Sequence, residues 1–260
     1  MGYLFIDGIA ERLHLGQSRE AVLAAWGISE SGEKVLLGLC PGTKEDTASA
    51  REFLRDLKAR NLNEPLLVVS DGAPGLIRAL EEVFSKESAA TVSSASYAQS
   101  RRQVPTERWR EVKAQAQAAY TAASPMLARL AKEEFVKRFE RELPSATACV
   151  LDDFEACIAH LRLPIAHRRA IRTTNLLERL FGEERRRTKV IPHAFGERAV
   201  LKLIYAALIR ASQTWRRIVI SEFELKQIDE LRSELDREFK ERTASTVQKC
   251  VPSENLQQEP

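Results

Sequence analysis

The chain has 260 residues, of which 44% are hydrophobic and 30% charged; this is enough apolar material for one large core or two modest ones, and too much for general disorder. Forty Lys and Arg against 37 Asp and Glu leave a net charge of +3, so the total points neither toward nor away from a polyanionic partner and only its distribution can. Cys40, Cys149, Cys157 and Cys250 lack the close paired spacing of a zinc site, and there is neither a signal peptide nor an apolar run long enough to span a bilayer, so a reducing, cytoplasmic setting without membrane contact is expected.

Three apolar runs open the chain: "YLFID" (Tyr3 to Asp7), "AVLAAWGI" (Ala21 to Ile28) and "KVLLGLC" (Lys34 to Cys40). The last two are separated by the polar, glycine-containing "SESGE", and the set reads as a meander of antiparallel strands. In "KEDTASAREFLRDLKARNL", Ala50, Phe53, Leu54 and Leu57 recur at the spacing of one helix face. A short run, Leu66 to Ser70, then ends on Asp71, Gly72 and Pro74, as a buried strand meeting a turn does. Asp71 has two readings: an N-cap for the helix expected over Pro74 to Phe84, or a functional carboxylate at the end of a core strand, where α/β sheets gather their ligands.

Glu87 to Val104 is Ser/Ala-rich and shows no clear periodicity. Beyond Pro105 no strand is expected. "RWREVKAQAQAAYTAA", "PMLARLAKEEFVKRFERELP", "ATACVLDDFEACIAHLRL", "NLLERLFGEERRR", "RAVLKLIYAALIRASQTW" and "EFELKQIDELRSELDREFKER" read as amphipathic helices, with prolines between or at the edges of them. Ala199 to Ala211 is apolar enough to be buried, Glu222 to Arg242 reads as a charged surface helix, and the tail after Thr243 as disordered. Asp152, Asp153 and Glu155 are placed in the first turn of a helix, where carboxylates meet the helix dipole favourably. His160, His167 and His193 are too dispersed for a metal site, and Trp109 and Trp215 read as helical packing residues.

The first and fourth strands share one grammar, an apolar run, an Asp and a glycine: "YLFIDG" and "LLVVSDG". If those strands are neighbours, Asp7 and Asp71 come together, and the repulsion of two carboxylates is relieved by a bound cation. Mg2+ suits hard oxygen ligands and is commonly held by one or two carboxylates together with substrate phosphate. A third acid is to be sought in "RAIRTTNLLERLFGEERRRTK" (Arg169 to Lys189), where Glu178, Glu183 and Glu184 stand among Arg185, Arg186, Arg187 and Lys189, with Arg168, Arg169 and Arg172 just before. Each of these charges alone reads as part of a solvated, ion-paired helix; together they form a basic surface beside candidate metal ligands, which suits a phosphodiester backbone.

"FIDGIAERL", "LLVVSDGAPGL", "DDFEACIAHLRLPIAHRRAIRTTNLLERLFGEERRRTK" and "IPHAFGERAVLKLIYAALIRA" resemble the catalytic part of the bacterial Mutator-type insertion-sequence transposases, over about Tyr3 to Phe239. The resemblance implies an α/β fold: a ribonuclease-H-like core with an all-helical insertion and a helical C-terminal part. It divides the chain into the first part of the core (1–104), the insertion (105–165), the remainder of the core with the last acid (166–220), and a charged helix with its tail (221–260). It implies an Asp-Asp-Glu triad of Asp7, Asp71 and Glu178, with Glu183 as runner-up, binding Mg2+ or Mn2+. It further implies double-stranded DNA as partner, both element ends and target, held by Arg168, Arg169, Arg172, Arg185, Arg186, Arg187 and Lys189, and a homo-oligomer associated with the bacterial nucleoid. Two other readings stand beside it: a different ribonuclease-H-like nuclease such as a junction resolvase, and a non-catalytic remnant that binds DNA non-specifically or dimerises.

Two departures from the family qualify that expectation. Family members carry an end-recognising region ahead of the first catalytic strand, and here Met1 falls almost on that strand, so an N-terminally truncated catalytic part is expected. Residues 86–104 are aberrant: they replace a family segment that carries a Cys-x-x-His spacing. Read one base downstream, the codon pairs for Val92/Ser93 and Ala95/Ser96 can give Cys and His at that spacing. Two compensating frameshifts are the expectation, with 86–104 the least ordered internal stretch and activity low or absent. Reading the gene in its other frames checks this: a shifted frame with neither Cys nor His would leave the stretch a genuine loop.

Overall fold

The computed structural model describes residues 2–11, 13–14, 18–42, 46–70, 72–84, 90–93, 104–152, 154–171, 182, 186, 197–213 and 215–249. Strands β1 (Tyr3–Glu11), β2 (Glu20–Ile28) and β3 (Lys34–Pro41) form the meander expected from the apolar runs. Helix α1 (Thr47–Ala59), strand β4 (Leu67–Ser70) and helix α2 (Pro74–Val83) follow, then strand β5 (Ala90–Ser93). The strand order is β3-β2-β1-β4-β5; β2 runs antiparallel to β1 and β3, while β1, β4 and β5 are parallel.

Two strand assignments differ from expectation. β1 does not stop at Asp7 but continues to Glu11, because its ladder with β2 carries on through Glu11↔Glu20. β5 lies inside the stretch that shows no periodicity; it pairs with β4 from Leu67↔Ala90 to Ser70↔Ser93. A four-residue strand needs no long apolar run, since backbone pairing to an existing strand supplies its order.

The sheet is covered on both faces. Because strand side chains alternate, Leu4 and Ile6 of β1 point to one face and Tyr3 and Phe5 to the other. The first face packs on Ala50, Phe53, Leu54 and Leu57 of α1 and on Leu76, Ala79, Leu80 and Val83 of α2. α1 starts at Asp46, whose carboxylate accepts from the amides of Ala48 (3.0 Å) and Ser49 (3.2 Å).

The second face is covered by the C-terminal half of the chain. After helices α3 (Thr106–Tyr120), α4 (Pro125–Phe139), α5 (Pro144–Leu151) and α6 (Phe154–Ile158) come a 3-10 turn (Ala159–Arg162), α7 (Ile165–Ile171), α8 (Glu197–Ser212) and α9 (Glu222–Lys249). Ile171, Ile204, Leu208, Ala211, Ile228, Leu231 and Leu235 join Tyr3, Phe5, Trp26 and Val69 in one cluster. Helices α3 to α6 instead bury clusters of their own, around Phe135, Phe139 and Val150 and around Ala128, Phe154 and Leu161. Among the described residues no strand follows Pro105, as expected.

α9 is less peripheral than its charge suggests. Its Ile228, Leu231 and Leu235 are buried, and it is tied by Arg162 to Glu238 (2.8 Å) and Glu234 (3.2 Å) and by Arg232 to Glu30 (3.2 Å). It also runs past Thr243 to Lys249, where disorder was expected, since nothing between those residues breaks a helix and the next proline is Pro252. The β2–β3 turn fits beneath the segment leading into α9. Gly32 has φ +82°, accepts the Ile218 amide at 2.9 Å, and a Cβ there would come within 1.9 Å of the Ile218 carbonyl oxygen.

The core is anchored by Phe5, stacked on Trp26 with ring centroids 3.9 Å apart and fully buried. Phe5→Ala is expected to cost about 3–5 kcal/mol in urea unfolding, whereas Leu127→Ala on the exposed side of α4 should stay within about 0.5 kcal/mol. Equal effects of the two substitutions would contradict this placement of the core.

Candidate active site

Asp7 is the one member of the expected triad among the described residues. Alternation along β1 puts it on the face of Tyr3 and Phe5, beneath α7, α8 and α9, and its side chain is half-buried. Asp7 Oδ1 accepts the Gly8 amide at 2.8 Å, and across the ladder stands Ala24, which contributes only a methyl group beside the carboxylate. On the other side, β1 pairs in parallel with β4 from Tyr3↔Leu67 to Phe5↔Val69, and the ladder with β2 continues past Asp7.

β4 ends in Ser70, fully buried, whose Oγ accepts the Gly72 amide at 3.3 Å; Gly72 itself has φ +81°. The N-cap of α2 is Ala73 and Pro74 takes the first helical turn, so position 71 is not the N-cap. Asp71 itself lies outside the described residues, as do Glu178, Glu183, Arg172, Arg185, Arg187, Lys189 and Asp153. Among the described residues no group of three His, Cys, Asp or Glu side chains is arranged to hold a metal ion. Asp7 is the hard oxygen donor that Mg2+ or Mn2+ would require of its ligands.

The described arginines separate by role. Arg168 is half-buried and donates through Nε to the Leu163 carbonyl (2.8 Å) and through Nη1 to the Ala123 carbonyl (2.7 Å), linking α7 to the α3–α4 connection. Arg169 is exposed, and so is Arg186, which is helical. The acidic group divides as well. Glu155, in the first turn of α6, pairs with Arg129 at 2.8 Å, in keeping with a structural role, whereas Asp152 is not in the first turn of a helix as expected but is the C-cap of α5. Trp109 packs in the cluster of α3 to α5. Trp215 lies beyond the end of α8 instead of within a helix, against Trp26 with centroids 5.3 Å apart.

Sequence reasoning missed His167. It is fully buried on α7, with Nδ1 2.7 Å from the Tyr3 hydroxyl and the two rings edge to face at 5.8 Å. Its Nε2 has no hydrogen-bond partner; the Glu224 carboxylate of α9 is 3.8 Å away. Burial, with the Glu224 charge adding to it, pushes the Tyr3 phenol well above the ordinary tyrosine value. The available signal was a histidine in an otherwise basic helix, but its partner is 164 residues away in sequence.

The sequence model described as "Transposase, Mutator family" matches residues 1–218, and the chain belongs to that family. It is similar to the transposase for insertion sequence element IS6120 of Mycolicibacterium smegmatis, 29% identical over 216 residues, covering 83% of this chain and 67% of that protein. The transposase for insertion sequence element IST2 of Acidithiobacillus ferrooxidans is 31% identical over 198 residues, 76% of this chain and 67% of that protein. The transposase for insertion sequence element IS256 in transposon Tn4001 of Staphylococcus aureus is 27% identical over 193 residues, 74% of this chain and 49% of that protein. Among the described residues no helix is long and apolar enough to cross a membrane.

The buried imidazole makes stability depend on pH. Burial lowers the His167 pKa below the ordinary value, and the Glu224 charge opposes that shift without cancelling it. The unfolded chain therefore binds a proton that the folded chain refuses, so this contribution is complete above about pH 6.5 and is lost as pH falls below it toward the folded pKa. His14 is raised by its bond to Glu20 and has the opposite sign, so the test is a comparison of variants at each pH. His167→Gln, which cannot take up the proton, is expected to show a shallower loss of urea stability between about pH 7.5 and about pH 5 than wild type. An unchanged slope would reject His167 as its source.

Proposed function

We propose that this chain carries the catalytic part of an insertion-sequence transposase, which cuts DNA at the element's ends and joins the ends to target DNA through Asp7, Asp71 and Glu178, with Glu183 the alternative third acid. The observation that carries the reading is the parallel β1–β4 pair: β4 delivers the chain to position 71 on the strand adjoining Asp7. The sheet supports a ribonuclease-H-like core, since that core also has three antiparallel strands followed by two parallel to the first, in the order β3-β2-β1-β4-β5. The segment 172–196 is bracketed by α7 and α8, and both pack on the face that carries Asp7.

The division of the chain follows the same reading. Residues 1–104 and 166–220 form the catalytic core, with β5 inside the aberrant 86–104 stretch. Residues 105–165 form the helical insertion, for which the separate clusters of α3 to α6 speak, and 221–260 form the charged C-terminal part.

In the mechanism, Asp7 on its rigid central strand, with Asp71 and the third acid, would hold Mg2+ or Mn2+ against the scissile phosphate. The ion, when bound, lowers the pKa of the attacking oxygen and stabilises the leaving one. Water attacks the phosphodiester at the element's end and frees a 3′-hydroxyl, which then displaces a phosphodiester of the target in line. Arg169, Arg172, Arg185, Arg186, Arg187 and Lys189 would hold backbone phosphates, positioning the duplex without reading its sequence. Homo-oligomerisation is part of the proposal because two ends must be brought together.

The test is nicking and strand transfer on pre-cut element ends in Mg2+ or Mn2+. Asp7→Asn and Asp71→Ala are each expected to lower the rate about a hundredfold or more, which is about 2.7 kcal/mol of barrier. Binding of duplex DNA should survive both substitutions and weaken steeply with salt, because phosphate contacts release counterions. Activity in wild type and both variants alike, or in none of the three, would remove the catalytic reading, the latter leaving DNA binding alone.

A further inference from the structure

We infer that the outer face of α8 is a contact surface for the phosphate backbone of duplex DNA, formed by Arg198, Lys202 and Tyr205. The inference rests on the proposed function for its choice of polyanion, and its residues lie outside the basic cluster of 168–189. At 3.6 residues per turn the three side chains fall within about 60° of arc, so they stand one above another along the helix. Arg198 and Lys202 are exposed, and Tyr205, the one aromatic residue of α8, is 44% exposed. The other side of the helix, through Ile204, Leu208 and Ala211, is buried in the cluster that covers the Asp7 face of the sheet. α8 thus turns a basic stripe to solvent while its apolar side is fully used.

Charge pairing sets this helix apart. α8 has three cations, Arg198, Lys202 and Arg210, and one acid, Glu197. A solvated helix commonly balances its cations with acids three or four residues away, and no acid stands at that spacing from any of the three. Glu197 does not neutralise the stripe, because neighbours in sequence do not face each other on a helix and its carboxylate lies 3.9 Å from His14 Nε2. Among the described residues none of the three cations has a hydrogen bond or an ion pair. α4 also has more cations than acids, but there Arg129, Lys137 and Arg138 are paired with Glu155, Glu134 and Glu111, and Lys132 lies over the Phe154 ring. Arg198 and Lys202, one turn and about 6 Å apart along the axis, can each neutralise a phosphate. The Tyr205 hydroxyl can donate to a further phosphate oxygen without carrying charge.

The test is binding of the full chain to a short duplex of arbitrary sequence, without divalent metal, between about 50 and about 200 mM salt. Arg198→Ala combined with Lys202→Ala is expected to reduce the slope of log affinity against log salt by about 2 and to weaken binding at least about tenfold. The control removes the same charge from the layer on the other face of the sheet: Arg55→Ala on α1 with Arg78→Ala on α2, both exposed. All four changes put alanine at exposed helical positions, where the helix is kept. Tyr205→Phe should weaken binding about threefold and leave the slope unchanged, since an uncharged contact releases no counterion. An α8 pair that behaves like the control pair would overturn the inference, and unchanged affinity in Tyr205→Phe would remove that residue from the surface. A control-like slope together with altered sedimentation of the α8 pair would assign the face to a second copy of the chain and overturn it as well. Tighter binding by wild type to single-stranded RNA of the same length would overturn the choice of duplex DNA. Absence of metal-dependent cleavage from wild type would end the triad reading alone, because this binding is measured without metal; a control-like slope in a chain that still cleaves would end this inference alone.

Discussion

β1 lies third of five in the sheet, and the four residues from Tyr3 to Ile6 are buried whichever way they point. A strand of that kind cannot exist until both its faces are covered, because each exposed face would leave large apolar side chains in water. α1 and α2, the next helices in sequence, cover one face. The other must wait for α7, α8 and α9, and so for almost the whole chain. Asp7 inherits its place from this constraint: alternation commits it to the second face, whose covering helices come from the C-terminal half of the chain.

The late closure explains why polar ties gather on the second face. Arg162 with Glu234 and Glu238, Arg232 with Glu30, and Tyr3 with His167 all join elements far apart in the chain. The first two ties are partly exposed and contribute little to stability. The Tyr3–His167 bond is different in kind because both groups are out of water, where a donor or acceptor left without its partner bears the full cost of desolvation, about 1–3 kcal/mol. Such a bond selects one arrangement of α7 over its neighbours more than it adds to total stability.

The meander, α1, β4 and α2 were legible because each is a compact apolar pattern bounded by turn residues; the ends of β2, β3, β4 and α2 fall within a residue of the expected ones, with the run of β1 on to Glu11 as an exception. That exception, like β5, comes from pairing with another strand, which a local reading cannot see. The burial of α9 was hidden for a related reason: Ile228, Leu231 and Leu235 make a narrow stripe on a helix otherwise covered in charge. At the candidate site, Asp7 announced itself as a carboxylate ending an apolar run. His167 did not, since a lone histidine among arginines has no local mark of burial, and its phenol partner was counted only as an apolar strand residue.

The arginines of α7 show how the structure refines a basic cluster. A phosphate is best held by a guanidinium that presents two parallel N–H groups in a fork. Arg168 has committed Nε and Nη1 to two carbonyls on different elements, so the Nε edge of its fork is occupied, and burial further disfavours its charge. Releasing it to a phosphate would leave the Leu163 and Ala123 carbonyls to find other donors and would loosen α7 from the α3–α4 connection. Arg169, one residue on, is exposed. Adjacent arginines with the same charge thus differ in setting: Arg168 is turned inward and ties α7 to the α3–α4 connection, whereas Arg169 is exposed.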